Sequence, residues 1–471
     1  MKKVGHVDSS LPACLTATIG TPEFDRNKST LGLCLDMCPL SEIKERGRSR
    51  IHLLEGKFVL TDSSVSDHIL RGYFIKELKR SSADTHLNDP SLIRPVHILL
   101  RTVRYIQNEL MEQDLRLVAD PRFGVIPRTI EVYLFIFNRY RMIVKDLAMQ
   151  RNEINVENDR YCIECLECII RYHIMMDFQL KGNQDYEFEG DSRAGNAHQN
   201  LEQLNNCLKM LVSSGLYQDA RKRKRRSTDS IQVMCPNEAE FCAYYILAKL
   251  EKPHREFLFS DQEVSRYIAS LDSELLLSEE IQFAFAVVTS IKTRNYFKFF
   301  RLFHEATYLE ACLMNNCAKN MRLEAMDIIC RTGHMKNKDN KPTLYSLSDL
   351  TDILAFDDVE GTRLFLEKCK FSVSSVPINS ECINDSNIRL YVHIDGQPHV
   401  YIESTADESP HLKISSGLID LKLNSPEGIL SRRDIVSGRS SRRAVPLITT
   451  DEEDEEFYRN QQKSSTEKMF S

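Results

Sequence analysis

The feature that most constrains this chain is the period of its apolar residues. From about 40 to 335 they return at three- and four-residue spacing, which places them on one face of a helix and scatters them on a strand. In "PSLIRPVHILLRTVRYIQNELMEQ" (90–113), Ile98, Val103, Ile106 and Leu110 mark such a face. In "TIEVYLFIFNRYRMIVKDLAMQ" (129–150), Val132, Ile136, Tyr140, Ile143 and Leu147 do the same, widened by Phe135 and Phe137. The same pattern predicts helices near 157–180, 194–214, 237–250, 261–270, 279–291, 295–303, 305–317 and 320–331. About a dozen helices with short links, and no clean repeat, suit stacked helical hairpins better than a closed bundle. The expected fold is mainly α: a helical superhelix over 33–340.

Both ends depart from that period. Residues 1–32 are polar with scattered Pro and Gly and read as a disordered tail. Past 340, residues 345–371 predict two short helices, with Ser346 and Asp349 resembling a capping box for the first and Asp357 with Glu360 for the second. "IRLYVHI" and "HVYIES" alternate like strands on either side of Asp395-Gly396-Gln397, a hairpin signal. Two helices and a two-stranded wing outline a small winged-helix domain over 341–403. Residues 404–471 carry no period and include six consecutive acidic residues, Asp451 to Glu456, so they read as a disordered acidic tail.

Charge narrows the function classes. With 62 Lys and Arg against 68 Asp and Glu, the formal net charge is −6, which argues against a protein that coats nucleic acid with its whole surface. Nucleic-acid contact would need a local patch. One candidate is Arg221, Lys222, Arg223, Lys224, Arg225 and Arg226, an unbroken basic run within a loop at 219–234. It reads as an import address, as a salt-dependent phosphate contact, or as a solvated loop. Fourteen cysteines without a recognisable secretion signal point to reduced thiols in a nuclear or cytosolic protein. No run of eighteen apolar residues predicts a membrane span.

Motifs for catalysis, cofactors or small-molecule substrates do not emerge: the sequence holds no GxSxG, HExxH, GxxxxGK[ST] or helix-opening GxGxxG. "CIECLEC" spaces Cys162, Cys165 and Cys168 like cluster ligands, but on a helix they read as buried thiols. Cys34 and Cys38 lack a matching pair for zinc. In "IKTRNYFKFFRLF" (291–303), Lys292, Arg294, Lys298 and Arg301 interleave with aromatics and are secondary basic candidates. Tyr296, Phe299, Phe300 and Phe303 follow helical spacing and read as core. The second helix of the winged domain, about 358–369, offers only Arg363 and Lys368 among Leu364, Phe365 and Leu366. It suits packing against protein better than reading a DNA groove, and Arg363, Phe365 and Lys368 are the partner-binding candidates.

Six stretches in order, "LCLDMCP" (33–39), "IKELKRSSAD" (75–84), "RPVHILLRTVRYI" (94–106), "FNRYRMIVKDLAMQ" (137–150), "PNEAEFCAYYILAKL" (236–250) and "NYFKFF" (295–300), resemble the GANP family, which includes the germinal-centre-associated nuclear protein and its yeast mRNA-export relative. The chain departs at Phe137, where the family often has Trp, and in its basic insert. The resemblance implies a TPR/PCI-like superhelix ending in a winged helix. That winged helix would pair with a PCI-domain partner supported by a small acidic Dss/Sem-type subunit, and the joint surface would hold RNA or single-stranded nucleic acid. It implies a non-enzymatic scaffold in nuclear mRNA export, in the nucleus and at its pores. The short SAC-domain-containing members imply an alternative, a centrosome or spindle factor in centrosome duplication and mitotic progression. Arg80 to Asp84, and Arg139, Arg141, Lys145 and Asp146, fall in the family's motifs; ion pairing and capping between neighbouring helices is the favoured reading of them.

Overall fold

The structure is a computed structural model. It describes residues 31–46, 52–56, 73–78, 89–111, 129–151, 156–182, 192–213, 215–220, 235–251, 262–333, 344–369, 372–377, 388–393, 416–425, 428–439 and 441–442. The chain is mainly helical, as the apolar period requires. In order come α1 (Leu40–Arg46), α2 (Leu53–Gly56), α3 (Val96–Tyr105), α4 (Thr129–Gln150), α5 (Val156–Gly182), α6 (Ser192–Leu208), α7 (Glu238–Ala248), α8 (Gln262–Ala269), α9 (Ser273–Leu276), α10 (Glu279–Lys292), α11 (Tyr296–Glu305) and α12 (Tyr308–Gly333). Wider π turns, Ile106–Leu110 and Lys209–Ser213, extend α3 and α6.

The long helix α5 organises the packing. It contacts α3, α6 and α12; α12 in turn meets α7 and α11, and α7 meets α10. Helices thus stack on one another along the chain, as in an α-helical superhelix. The faces read from the sequence are the buried ones: Ile98, Val103, Ile106 and Leu110 on α3 and its extension, and Val132, Phe135, Ile136, Phe137, Tyr140, Ile143 and Leu147 on α4.

Residues 305–317 and 320–331, expected as two helices, are joined in α12, which runs unbroken from Tyr308 to Gly333. The expected break falls at Ala318-Lys319, where neither Gly nor Pro stops a helix. Ala318 and Met321 carry the buried face straight across it, so packing overrides the weak helix propensity of Asn315 and Asn316.

A small sheet module follows: β1 (Leu344–Ser346), α13 (Leu347–Ile353), α14 (Val359–Lys368), β2 (Ser372–Pro377) and β3 (Ile388–His393). The three strands form one antiparallel sheet in the order β1-β3-β2. Leu344 and Ser372 both stand opposite His393, and Pro377 stands opposite Ile388. "IRLYVH" therefore pairs with 372–377 and 344–346; "HVYIES" and the Asp395-Gly396 turn lie outside the described residues. The capping expectation shifts by one residue. Asp358, not Asp357, caps α14, accepting from the Gly361 N–H at 2.6 Å. Ser346 stands at the start of α13 without a side-chain capping bond.

The tail expected to be disordered over 404–471 is ordered and packed where it is described. It contains α15 (Ser416–Leu421), a two-stranded ladder of β4 (Asn424–Ser425) and β5 (Gly428–Ile429), and α16 (Arg432–Val436). Ile419, Ile435 and Val436 are buried in the same continuous apolar core as the helical stack and the sheet module. Elements of two to six residues are too short to show a period in the sequence.

Candidate interaction surface

The charged residues of the sequence motifs turn out to be internal. Asp146 on α4 is fully buried and accepts from Lys76 Nζ at 3.0 Å and Arg94 Nε at 2.7 Å. Lys76 also donates to the Leu92 carbonyl, and Arg94 Nη1 to the Met37 carbonyl at 3.2 Å. One helix turn on, Gln150 accepts from the Gly32 N–H at 3.0 Å and donates to the Arg94 carbonyl at 2.8 Å. Gly32 has to be glycine, since a Cβ there would sit 2.6 Å from the Ile93 carbonyl oxygen.

A second buried cluster binds α1 and α2 to α4. Arg46 pairs with Glu55 and donates to the Ile75 carbonyl at 3.2 Å. Arg139 lies 3.5 Å from both Glu55 and Glu77, with its guanidinium 4.2 Å from the Phe135 ring. Burial lowers the Arg139 pKa, and Glu55 opposes that shift. Arg141 rests over Phe137 at 5.4 Å, a face of α4 half open to water, and Lys145 is half-buried. Of these motif charges, the structure places Arg139 and Asp146 in the role of struts between elements rather than on a contact face. Arg80 to Asp84 lie outside the described residues.

The thiols are also interior. Cys162, Cys165 and Cys168 are buried along α5. Burial pushes Cys168 up to about 12 and Cys165 well above the ordinary thiol range, so both stay protonated and pack as small apolar groups. Among the described residues no group of three or more His, Cys, Asp and Glu is arranged to hold a metal ion.

Two exposed features remain. The turn from α10 to α11 holds Lys292 and Arg294, with Lys298 in the first turn of α11, while Arg301 lies farther along that helix. Phe299, Phe300 and Phe303 point into the core as their spacing required, while Phe297 is 59% exposed. Arg294 takes a left-handed conformation, φ 53°, which lets the chain turn sharply between the helices. Arg301 lies 3.8 Å from Glu305, a solvated pair.

The second feature is the outer face of α14. Arg363 donates to Glu360 (Nε–Oε2 3.0 Å) and approaches Glu367 at 3.5 Å. Leu364 is 47% exposed between these charges, and Lys368 is exposed one turn on. Phe365, expected as a partner contact, is not on this face. It is buried, with its ring 5.2 Å from Phe356, because its position on α14 turns toward α13 and the core. The basic run Arg221–Arg226 lies outside the described residues.

The residue that seats the sheet module on the stack was not visible in the sequence. Arg322 of α12 donates to the Leu354 carbonyl at 2.9 Å and to the Ala355 carbonyl, and stacks 3.9 Å over Phe356. A cation at the C-terminal carbonyls of α13 is favourable, and burial lowers the Arg322 pKa to about 9. Nothing local marks this arginine, since its partners are thirty residues away. Asp357 likewise holds a strand of meaning the sequence hid: it accepts from the Gly417 and Leu418 N–H groups at 2.9 and 2.8 Å.

The sequence profile of the SAC3/GANP family matches residues 37–375, from the start of the buried motif network through α14 and into β2. The chain belongs to the SAC3/GANP family. It is 30% identical over 385 residues to SAC3 family protein B of Arabidopsis thaliana, covering 79% of this chain and 19% of that one. It is 25% identical over 345 residues to Protein xmas of Drosophila melanogaster, covering 72% and 14%. A THP3 homolog of Schizosaccharomyces pombe matches 154 residues at 28% identity, a third of each chain. The chain thus spans less than a fifth of the length of its first two SAC3/GANP relatives. The family match ends at 375, so the described residues between 416 and 442 lie beyond it. Among the described residues no helix is long and apolar enough to cross a membrane.

Proposed function

We propose that this SAC3/GANP chain is a non-enzymatic scaffold of nuclear mRNA export. It binds a PCI-domain protein through the sheet module, which we read as a winged helix, and holds RNA jointly with that partner and its small acidic Dss/Sem-type subunit. The observation that carries this reading is the unbroken family match from the helical stack into β2, in a scaffold-type family. The outer face of α14 supports it: Leu364 stands among paired, solvated charges, the mixture that a moderate-sized protein interface uses at its rim and edge. The start of α11, with exposed Phe297 beside Lys298, offers a ring and a cation of the kind that stack on and neutralise single-stranded nucleic acid.

The test is affinity purification of the tagged chain, followed by reconstitution. Recovery of a PCI-domain protein with a small acidic subunit, and RNA binding by the trio that weakens steeply with salt, is the expected result. Recovery of spindle or centriolar proteins with no PCI-domain partner overturns export and leaves the centrosome role in its place.

A further inference from the structure

The described residues of the segment 416–442 run from Asp357, beside the sheet module, across α11 and α12 to α5. At one end Asp357, the residue before the α14 cap, accepts two of the N–H groups that open α15, those of Gly417 and Leu418. Ile419 is buried against α12. Lys422 Nζ then reaches the last carbonyls of α11, donating to His304 at 2.9 Å and Ala306 at 2.8 Å.

The far end is fastened to the stack itself. Ser431 and Asp434 form a full capping box that starts α16, and Ile435 and Val436 are buried against α5. Gly438 passes directly over Arg171, with φ 92° and only 2.9 Å of room for a Cβ. Arg171 is pinned from below by Glu240, through two bonds of 2.8 Å, and lies under the Val436 carbonyl. Arg442 ends the run in a fork: its Nε and Nη2 donate to Glu310 at 2.9 and 3.0 Å, its Nη1 to Glu279 at 3.1 Å, and its plane lies 4.0 Å over Phe283.

Helices of six and five residues do not hold their shape alone. Their order comes from the surface they lie on. We propose that 416–442 is a strap, a ligand of the helical stack carried in cis, which bridges α5 and α12 to Asp357 and fixes the seat of the sheet module. The inference does not depend on the export reading. It assigns a role to a segment outside the family match, and it makes the module's position adjustable by whatever displaces the strap.

A protease site placed between 404 and 415 of the full chain tests it. After cleavage the fragment carrying 416–442 should co-elute with the body in gel filtration. An excess of synthetic 416–442 peptide should displace it, while a scrambled peptide should not. Arg442→Glu in the cleavable chain should weaken retention at least about tenfold, or roughly 1.4 kcal/mol. Once the weakened Arg442→Glu fragment has been separated from the body by gel filtration, hydrogen exchange of the amides in 347–369 should rise, with α4 and α6, which lie outside the strap's main packing, unchanged. A parental fragment that separates on cleavage alone, or removal of the strap that leaves exchange in 347–369 unaltered, overturns the proposal.

Discussion

The buried charges around α4 and the exposed charges on α14 are built from the same residue types and do opposite work. Asp146, Lys76 and Arg94 form a closed set in which each charge has its partner within 3.0 Å and hardly any water reaches it. Arg363, Glu360 and Glu367 lie in solvent on one helix face. Removing one member of a buried set strands the others without hydration. Removing one member of an exposed set leaves the rest solvated. Among the described residues the buried motif charges are therefore structural, and solvated charges such as those on α14 are the ones placed to meet another molecule.

The largest expected effect breaks the buried side. Asp146→Ala leaves Arg94 and Lys76 unpaired and should lower stability by roughly 3–5 kcal/mol in urea unfolding. A loss within experimental error would mean that water reaches the site and that the contrast with α14 is unfounded.

The middle-sized effect is in pH. Burial raises the Glu167 carboxyl to about 7 despite Arg171 beside it, so between pH 4.5 and 7 the folded state holds a proton the unfolded state has lost. Its contribution to stability falls as pH rises through that window. Burial lowers His173 to about 4, against its hydrogen bond with Asn200. The unfolded state then holds the extra proton between pH 4 and 6.5, and stability rises with pH there. His52, also lowered to about 4 by burial, acts in the same direction as His173. The two opposing contributions are each worth up to about 3 kcal/mol. Urea titrations across pH 4–7 should show a steeper rise for Glu167→Gln and a flatter one for His173→Gln than for the parent chain. Identical slopes in all three would show that neither group is buried as described.

The smallest effect on stability belongs to the α14 face. Arg363→Glu combined with Lys368→Glu should leave the thermal midpoint unresolved from that of the parent. A drop comparable to that of Asp146→Ala would place these residues in the core system instead.

The same contrast explains what could be read from the sequence. The period made the faces of α3 and α4 legible residue by residue, because helix geometry fixes which positions are buried. It also separated the core rings Phe299, Phe300 and Phe303 from exposed Phe297. Phe365 was misassigned because Leu364, Phe365 and Leu366 are consecutive apolar residues, and such a run has no period to say which one faces out. The strap and Arg322 were illegible for another reason. Arg442 meets residues 132 positions away and Arg322 meets carbonyls 32 positions away, and no local pattern records such pairings. Asp357 read as a cap, and it is one, but for α15 rather than for the helix that follows it.

The most direct test of the scaffold reading is a binding titration of the reconstituted PCI-domain protein and its small acidic subunit against three chains: the parent, Leu364→Glu with Arg363→Glu, and Asp146→Ala under conditions where it is folded. The account predicts at least about tenfold weaker binding for the α14 variant and parental binding for Asp146→Ala. Equal binding by the parent and the α14 variant would contradict it.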